Sequence, residues 1–310
     1  MQGFASIIAA LGPVFALVII GHILGRIPFP DRSFWPQAER LTYFILFPSL
    51  LVLKIGNAAL PATDIVLPIV ALITLLFLSA FAIVGLSKFI HPSPAALSSV
   101  FQGGIRFNTY VGLASASALY GDSGMVWGAV FLAIMIPLVN VVCITGFAIW
   151  LPKQSGSLAQ TLWQGIVKNP LILACLAGGA LNLSGLGVPS PITPVLTLIS
   201  AMALPLGLLA VGVSLNLRII SQGNTALWLS TLFKLVIYPM IFMLIAWLLD
   251  LPAEVTGVLL VFALLPTAPS AYILARQLDG DAPLMATIIT LQTLLAMVTM
   301  PVMLAFLTAA

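Results

Sequence analysis

With 61% hydrophobic residues, 6% charged residues and a net charge of +3 over 310 positions, this chain has too few charges to cover a water-facing surface of its size. Soluble domains carry about 25% charged residues. The basic residues are spread over loops rather than gathered in a patch, which excludes a nucleic-acid surface and leaves an integral membrane protein with many crossings.

The first segment, MQGFASIIAALGPVFALVIIG, has no Lys or Arg before its apolar run. It reads as a retained span rather than a cleaved leader, which needs a basic start and a short core. A spanning helix needs about 20 predominantly apolar residues. Ten stretches qualify: roughly 4–25, 36–59, 64–86, 94–120, 123–149, 162–183, 192–216, 225–249, 253–276 and 282–308. The runs are too long for barrel strands and lack their alternation. Cys143 and Cys175 lie in apolar segments and read as packing residues; their spacing suggests neither a metal site nor a disulfide framework. The longest polar connection, LPKQSGSLAQ, begins a linker at 151–161 that separates a first repeat, 1–150, from a second, 162–310.

Loop cations set the orientation. With the N-terminus outside, the cytoplasmic loops hold Arg26, Arg32, Arg40, Lys88, Lys153, Lys168, Arg218 and Arg276. The outer side holds Asp64, Asp122, Asp250 and Glu254, and both termini lie outside a bacterial inner (plasma) membrane. Five spans per half is odd, so the halves enter with opposite orientation. LFPSLLVLKIGN (46–57) resembles ALPLGLLAVGVSLN (203–216), and the layout of 94–122 matches that of 252–281. An inverted repeat of this kind is the build of secondary transporters. The fold expected is therefore all-α and polytopic: ten transmembrane helices in two inverted five-helix repeats, with spans four and nine broken.

The breaks are read from composition. In LLPTAPSAY, Pro266 and Pro269 stand three apart in mid-span, and each removes a backbone donor. In GGIRFNTY, Gly103, Gly104 and Asn108 weaken helix at the matching place. Backbone groups freed at membrane depth must face protein, a cavity or a ligand, and paired breaks point to a central binding site. Their restarting halves present amide-rich ends that favour anions. Arg106 sits beside the first break. A mid-bilayer arginine costs at least about 2.5–3.5 kcal/mol, and no Asp or Glu lies near a span centre to offset it. Either it bonds freed carbonyls of the other broken helix, or a substrate anion is its part-time counter-ion. Asn108, Thr109, Thr267, Ser270 and Tyr272 can donate or accept near the breaks, and Gln102 can join them. Asn140 and Gln292 read as interhelical hydrogen-bond formers. Lys54 reads as snorkelling, His22 and His91 as structural, and Lys234 has no evident partner.

The stretch FNTYVGLASASALYG (107–121) resembles the fourth-helix motif of the auxin efflux carrier family, within the bile/arsenite/riboflavin-type transporter superfamily. ALLPTAPSAYILARQLDGD (263–281) is similar to that family's ninth-helix segment, and KNPLILACLAGGAL (168–181) to its sixth-helix opening. The resemblance implies that helices four and nine cross at the substrate site. It also implies a scaffold of spans 1, 2, 6 and 7 and a moving transport domain of spans 3–5 and 8–10. Plant members of the family move auxin, and bacterial relatives include proposed malate and malonate carriers. By position Asn108 matches the family's fourth-helix Asn and Pro266 its ninth-helix Pro. Phe107 replaces the Pro that precedes the Asn in plants, which implies a softer first break, and Arg106 is not part of the plant motif. No plant-style control by loop phosphorylation is expected with so short a link.

Together these readings give a secondary transporter of small organic anions, mono- or dicarboxylates, working by elevator-type alternating access in a lipid bilayer. The substrate site is Arg106, Asn108, Thr109, Pro266, Thr267, Pro269, Ser270 and Tyr272, with Gln102, Asn140 and Gln292 behind it. No metal, cofactor or nucleic acid is expected; the coupling ion, proton or sodium, and a homodimer stay open. The alternatives are an anion channel, an anion sensor that does not transport, and an intramembrane enzyme. The last lacks a Ser-His pair or metal ligands at depth. The sensor lacks a soluble output domain.

Overall fold

The computed structural model describes residues 3–27, 30–31, 33–58, 65–151, 169–222 and 224–309. Arg32, Asp64, Lys153, Lys168, the linker after Leu151 and the beginning of the span expected at 162 lie outside the described residues. Fourteen α-helices are described and no strands. They are α1 (Phe4–Leu24), α2 (Phe34–Leu41), α3 (Phe47–Gly56), α4 (Val66–Ser87), α5 (Pro94–Ile105), α6 (Thr109–Trp150) and α7 (Pro170–Leu183), followed by α8 (Thr193–Ala201), α9 (Ala203–Ser214), α10 (Thr225–Leu232), α11 (Tyr238–Leu248), α12 (Ala253–Ala263), α13 (Ser270–Gln277) and α14 (Ala282–Ala309). π turns at Thr42–Leu46 and Phe233–Ile237 join α2 to α3 and α10 to α11.

Among the described residues six helical stretches are long and apolar enough to cross a membrane: Phe4–Leu24, Val66–Ser87, Pro94–Trp150, Thr193–Ser214, Thr225–Leu248 and Ala282–Thr308. Pro170–Leu183 and Ala253–Ala263 are apolar but shorter. The difference from the ten expected has identifiable causes. The segment 34–56 begins with the polar α2, FWPQAERL. The 253–276 stretch is cut by its break. Pro94–Trp150 counts once although it holds two legs. At about 1.5 Å per residue a straight helix of that length would far exceed the bilayer. Gly121, at φ 58° and ψ −134°, turns the chain back on itself in a conformation that side-chain-bearing residues rarely adopt. The two legs then pack together: a Cβ on Gly128 would lie 2.9 Å from Leu113 Cδ2, and the Phe107 and Phe131 rings meet with centroids 4.8 Å apart.

Small residues decide which helices approach most closely. A Cβ on Gly21 would collide with the backbone carbonyl of Leu209, and one on Gly212 with that of Val18, so α1 and α9 touch backbone to backbone. His22 Nδ1 lies 3.3 Å from the Gly212 carbonyl across the same contact, a structural place for that ring. Gly178 does the same for α7 on α3, where a Cβ would be 2.9 Å from Ile55 Cβ. In a bilayer, helix association rests on such packing because lipid tails are as apolar as leucine.

Glycine-mediated contact gives a stability prediction. Gly212→Ala should force α1 and α9 apart and lower stability by about 1–3 kcal/mol, the usual range for overpacking. Gly85→Ala, at a helical position with nothing within 4 Å of the new Cβ, should be neutral or stabilising by up to about 1 kcal/mol. Thermal midpoints of the purified variants in detergent compare the two.

Candidate functional site

α5 stops at Ile105, Arg106 (φ −75°, ψ 159°) and Asn108 (φ −85°, ψ 104°) are extended, and α6 starts at Thr109. The first break is thus complete rather than softened, although Phe107 stands where the plant motif has Pro. Asn108 supplies what proline would. Its Oδ1 accepts from the backbone N–H groups of Tyr110 at 3.1 Å and Val111 at 3.2 Å, capping the new helix.

Gly103 and Gly104 serve a different purpose from the helix weakening read from sequence. Both lie inside α5. A Cβ on Gly103 would run into Ser230 Oγ and lie 2.7 Å from Ile288 Cγ2; one on Gly104 would lie 3.2 Å from Phe233 Cδ1. They let α5 press against the helix holding Ser230 and Phe233 and against α14.

The second break runs from Leu264 to Pro269, between α12 and α13. The two breaks lie against each other: the Asn108 N–H donates to the Pro266 carbonyl at 2.9 Å. Gln292 on α14 ties them further. Its Nε2 donates to the Gly103 carbonyl at 3.0 Å and the Ser230 carbonyl at 3.2 Å, while its Oε1 accepts from the Thr267 N–H at 2.9 Å. Fully buried, Gln292 satisfies backbone groups from both interrupted helices.

A cavity of about 660 Å³ opens beside the crossing. Of the residues picked from sequence, Arg106, Asn108, Thr109, Asn140, Pro269 and Ser270 line it. Pro266, Thr267 and Gln292 are in the crossing but not in the lining, and Thr267 and Gln292 are fully buried. Gln102 is buried with neither side-chain polar atom bonded. Tyr272 is not brought to the cavity; it is exposed, with the Arg276 guanidinium 6.0 Å from its ring centre. Glu39, Arg40, Tyr43, Tyr110, Asn169 and Gln277 also line the cavity and were not picked. Glu39, Arg40 and Tyr43 come from α2 and its π turn. The amphipathic FWPQAERL was the available signal, a polar helix end that needs something polar to face.

Arg106 answers to no fixed charge. Its Nη2 is 3.5 Å from Ser270 Oγ, at the outer limit of a hydrogen bond, and its buried Nη1 has no partner. The Cys143 thiol lies beside it. Among the described residues no carboxylate is within ion-pair distance of the guanidinium; Glu39 shares the cavity without reaching it. Of the two readings left open, bonding to freed carbonyls of the other broken helix is not what is seen. That helix contributes a hydroxyl.

A larger cavity, about 1040 Å³, lies toward the other end of the 34–56 segment, lined by Lys54, Asp122, Ser123 and Glu254 among others. Lys54 Nζ bonds Asp122 Oδ1 at 2.7 Å, so it is paired rather than snorkelling. The bond joins a half-buried lysine to an exposed aspartate, and neither helix break borders this space. The smaller cavity is the one that residues of both breaks line.

Residues 153–304 match the family described as membrane transport protein. Over that stretch, a little under half of its length, the chain is similar to that family. The resemblance to auxin efflux carriers read from the motifs agrees with this match. The chain is also similar to an uncharacterized transporter of Methanothermobacter thermautotrophicus, 24% identical over 291 residues that cover 93% of this chain and 94% of the relative. The family match includes α12, the second break and Gln292. The relative's coverage is wide enough to reach the Arg106 break as well.

Gln292→Leu should leave the Gly103 carbonyl and the Thr267 N–H buried and unbonded, at about 1–3 kcal/mol each. Its thermal midpoint should fall by several degrees. Gln102→Leu removes a buried side chain that makes no bond, so it should cost little or stabilise. Differential scanning fluorimetry of the two variants side by side checks the contrast.

Proposed function

We propose that the chain is a secondary carrier of small organic anions and that Arg106 is the group that receives their carboxylate. The single observation behind this is an arginine at the crossing of two broken helices, facing a cavity and lacking a carboxylate partner among the described residues. A cation at that depth is costly unless something balances it. The Pro266 and Gly103 carbonyls at the breaks are taken by Asn108 and Gln292, so balance falls to what enters the cavity. The capped start of α6 presents its N-terminal end there, which favours negative charge, and Thr109, Asn140 and Ser270 can orient a second polar group. Malate, malonate and auxin-like monocarboxylates fit this description.

The wider architecture in this reading is ten spanning segments in two inverted repeats of five. It is supported by the hairpin at Gly121, by matched breaks after α5 and α12, and by helix pairing. Exchanging the two halves exchanges the first span with the sixth and the second with the seventh. The glycine-tight pairs α1–α9 and α3–α7 then map onto each other. These four spans would be the scaffold of an elevator, and the broken helices would ride in the moving domain. The cavity lies between the two, walled by the α2 segment on one side and the breaks on the other. With the N- and C-termini outside a bacterial plasma membrane, it faces the cytoplasm, because Arg40 and Gln277 stand at its rim.

The test begins with thermal-shift screening of purified protein against malate, malonate, acetate and indole-3-acetate. A ligand at about a hundred times its Kd should stabilise by about 2.7 kcal/mol. Counterflow of the labelled hit in proteoliposomes then separates a carrier from a channel. Arg106→Gln should abolish both the shift and the counterflow while keeping its thermal midpoint without ligand. Counterflow at the wild-type rate in that variant would refute the role given to Arg106.

A further inference from the structure

Lys234 sits in the π turn Phe233–Ile237 and is fully buried. Its Nζ makes no hydrogen bond and lies 3.8 Å from the centre of the Tyr238 ring. The elements packed on this helix are α4, α5, α12 and α14, with α10 and α11 continuing it on either side; the acid on α12, Glu254 in its first turn, accepts from Ser123 Oγ. Along α4, α5, α10 and α14 there is no acidic, basic, histidine, tyrosine or cysteine side chain. Tyr238, at the head of α11, is the titratable neighbour they leave, and the next charge along α5 is Arg106, just past its end.

A lysine kept as a permanent cation needs a carboxylate when it is buried this deeply. Here the charged form has the aromatic face of Tyr238 and nothing more. No fixed anion locks a proton on the nitrogen, and the ring still receives the ammonium when it forms. That is the requirement for reversible protonation. The turn is also joined to the anion site. Gly104 brings α5 onto Phe233, and Arg106 follows two residues later. In a low-dielectric interior, charge at Lys234 raises the potential felt by an anion at Arg106. By linkage, the anion favours the proton to the same degree.

We infer that Lys234 carries one proton with each anion. As the anion binds, the Lys234 amine takes H⁺ from the side the carrier faces and becomes an ammonium over the Tyr238 ring. After the anion leaves on the other side, the same proton is released and the amine is restored. Nζ is enclosed in the conformation described, so exchange with water belongs to the conformations before and after crossing. The inference rests on the carrier reading above and supplies the coupling group that no mid-span carboxylate provides.

The experiment uses proteoliposomes with the membrane voltage clamped to zero and labelled malate and malonate as probes, compared with protein-free vesicles. Two quantities are read: counterflow without a pH gradient, and accumulation under a gradient of one unit, alkaline inside. Wild type should accumulate the anion about tenfold, the ratio that one proton per anion and one pH unit set. Lys234→Met, Lys234→Gln and Lys234→Arg should keep counterflow and lose accumulation. Tyr238→Phe should keep both, and Tyr238→Leu should lose accumulation. Each variant is first checked for monodispersity and thermal midpoint.

Wild-type counterflow with no accumulation overturns the proton role and leaves the carrier reading standing. Accumulation by folded Lys234→Met at the wild-type ratio overturns it too, as does loss of counterflow and accumulation together in all folded Lys234 variants. Absence of wild-type counterflow with either probe overturns the organic-anion reading, and this inference with it.

Discussion

A backbone that stops being helical inside a membrane must still bond every amide and carbonyl, because lipid offers no partner. The organisation of this protein around its centre follows from that requirement. Two helices break at one place, and each break uses the other to satisfy itself: Asn108 N–H to the Pro266 carbonyl, and both to the buried Gln292. Neither interruption could stand alone. The cavity lies beside a crossing where the Asn108 and Thr267 N–H groups and the Gly103 and Pro266 carbonyls are already bonded. Arg106 is therefore conspicuous there, because the same network that satisfies its neighbours has nothing for its guanidinium.

The close packing around the crossing is part of the same arrangement. Gln292 can reach the Gly103 carbonyl because Gly103 and Gly104 carry no side chains, so that α5 lies directly on α14 and on the helix of Ser230 and Phe233. A larger residue at either position would move α5 outward and lengthen the bond that closes the break. The glycines, the glutamine and the asparagine cap act as one unit, and their effects should not add when removed together.

How much of this could be read from residues alone depends on the range of the interaction involved. Pro266 and Pro269 act on their own backbone, so the second break was legible in a window of nine residues. Arg106 was legible as a problem, because the chain could be searched for a mid-span carboxylate and had none. The lining contributed by Glu39, Tyr43 and Asn169 was not legible: each depends on which distant helix faces the crossing, and periodicity does not encode that. Gly103 and Gly104 were given the wrong reason, since a glycine that weakens a helix and a glycine that admits a neighbour have identical sequence signatures. Lys54 was likewise read without its partner, because Asp122 is brought to it only by the reversal at Gly121.

Tyr110 shows how the crossing meets the rest of the molecule. It is the second residue of α6, directly after the capped break. Its ring packs edge-on against Phe47 of α3, centroids 4.8 Å apart, and a Cβ on Gly207 of α9 would lie 2.7 Å from its Cδ1. The ring is thus wedged between two elements of the glycine-tight pairs while its backbone N–H is held by Asn108. Gly207 makes the slot, and only a residue without a side chain leaves room for an aromatic edge there. Any movement of the breaks relative to α3 and α9 has to withdraw this ring from that slot. The ring therefore sits where the first break meets α3 and α9, and it also lines the cavity beside Arg106.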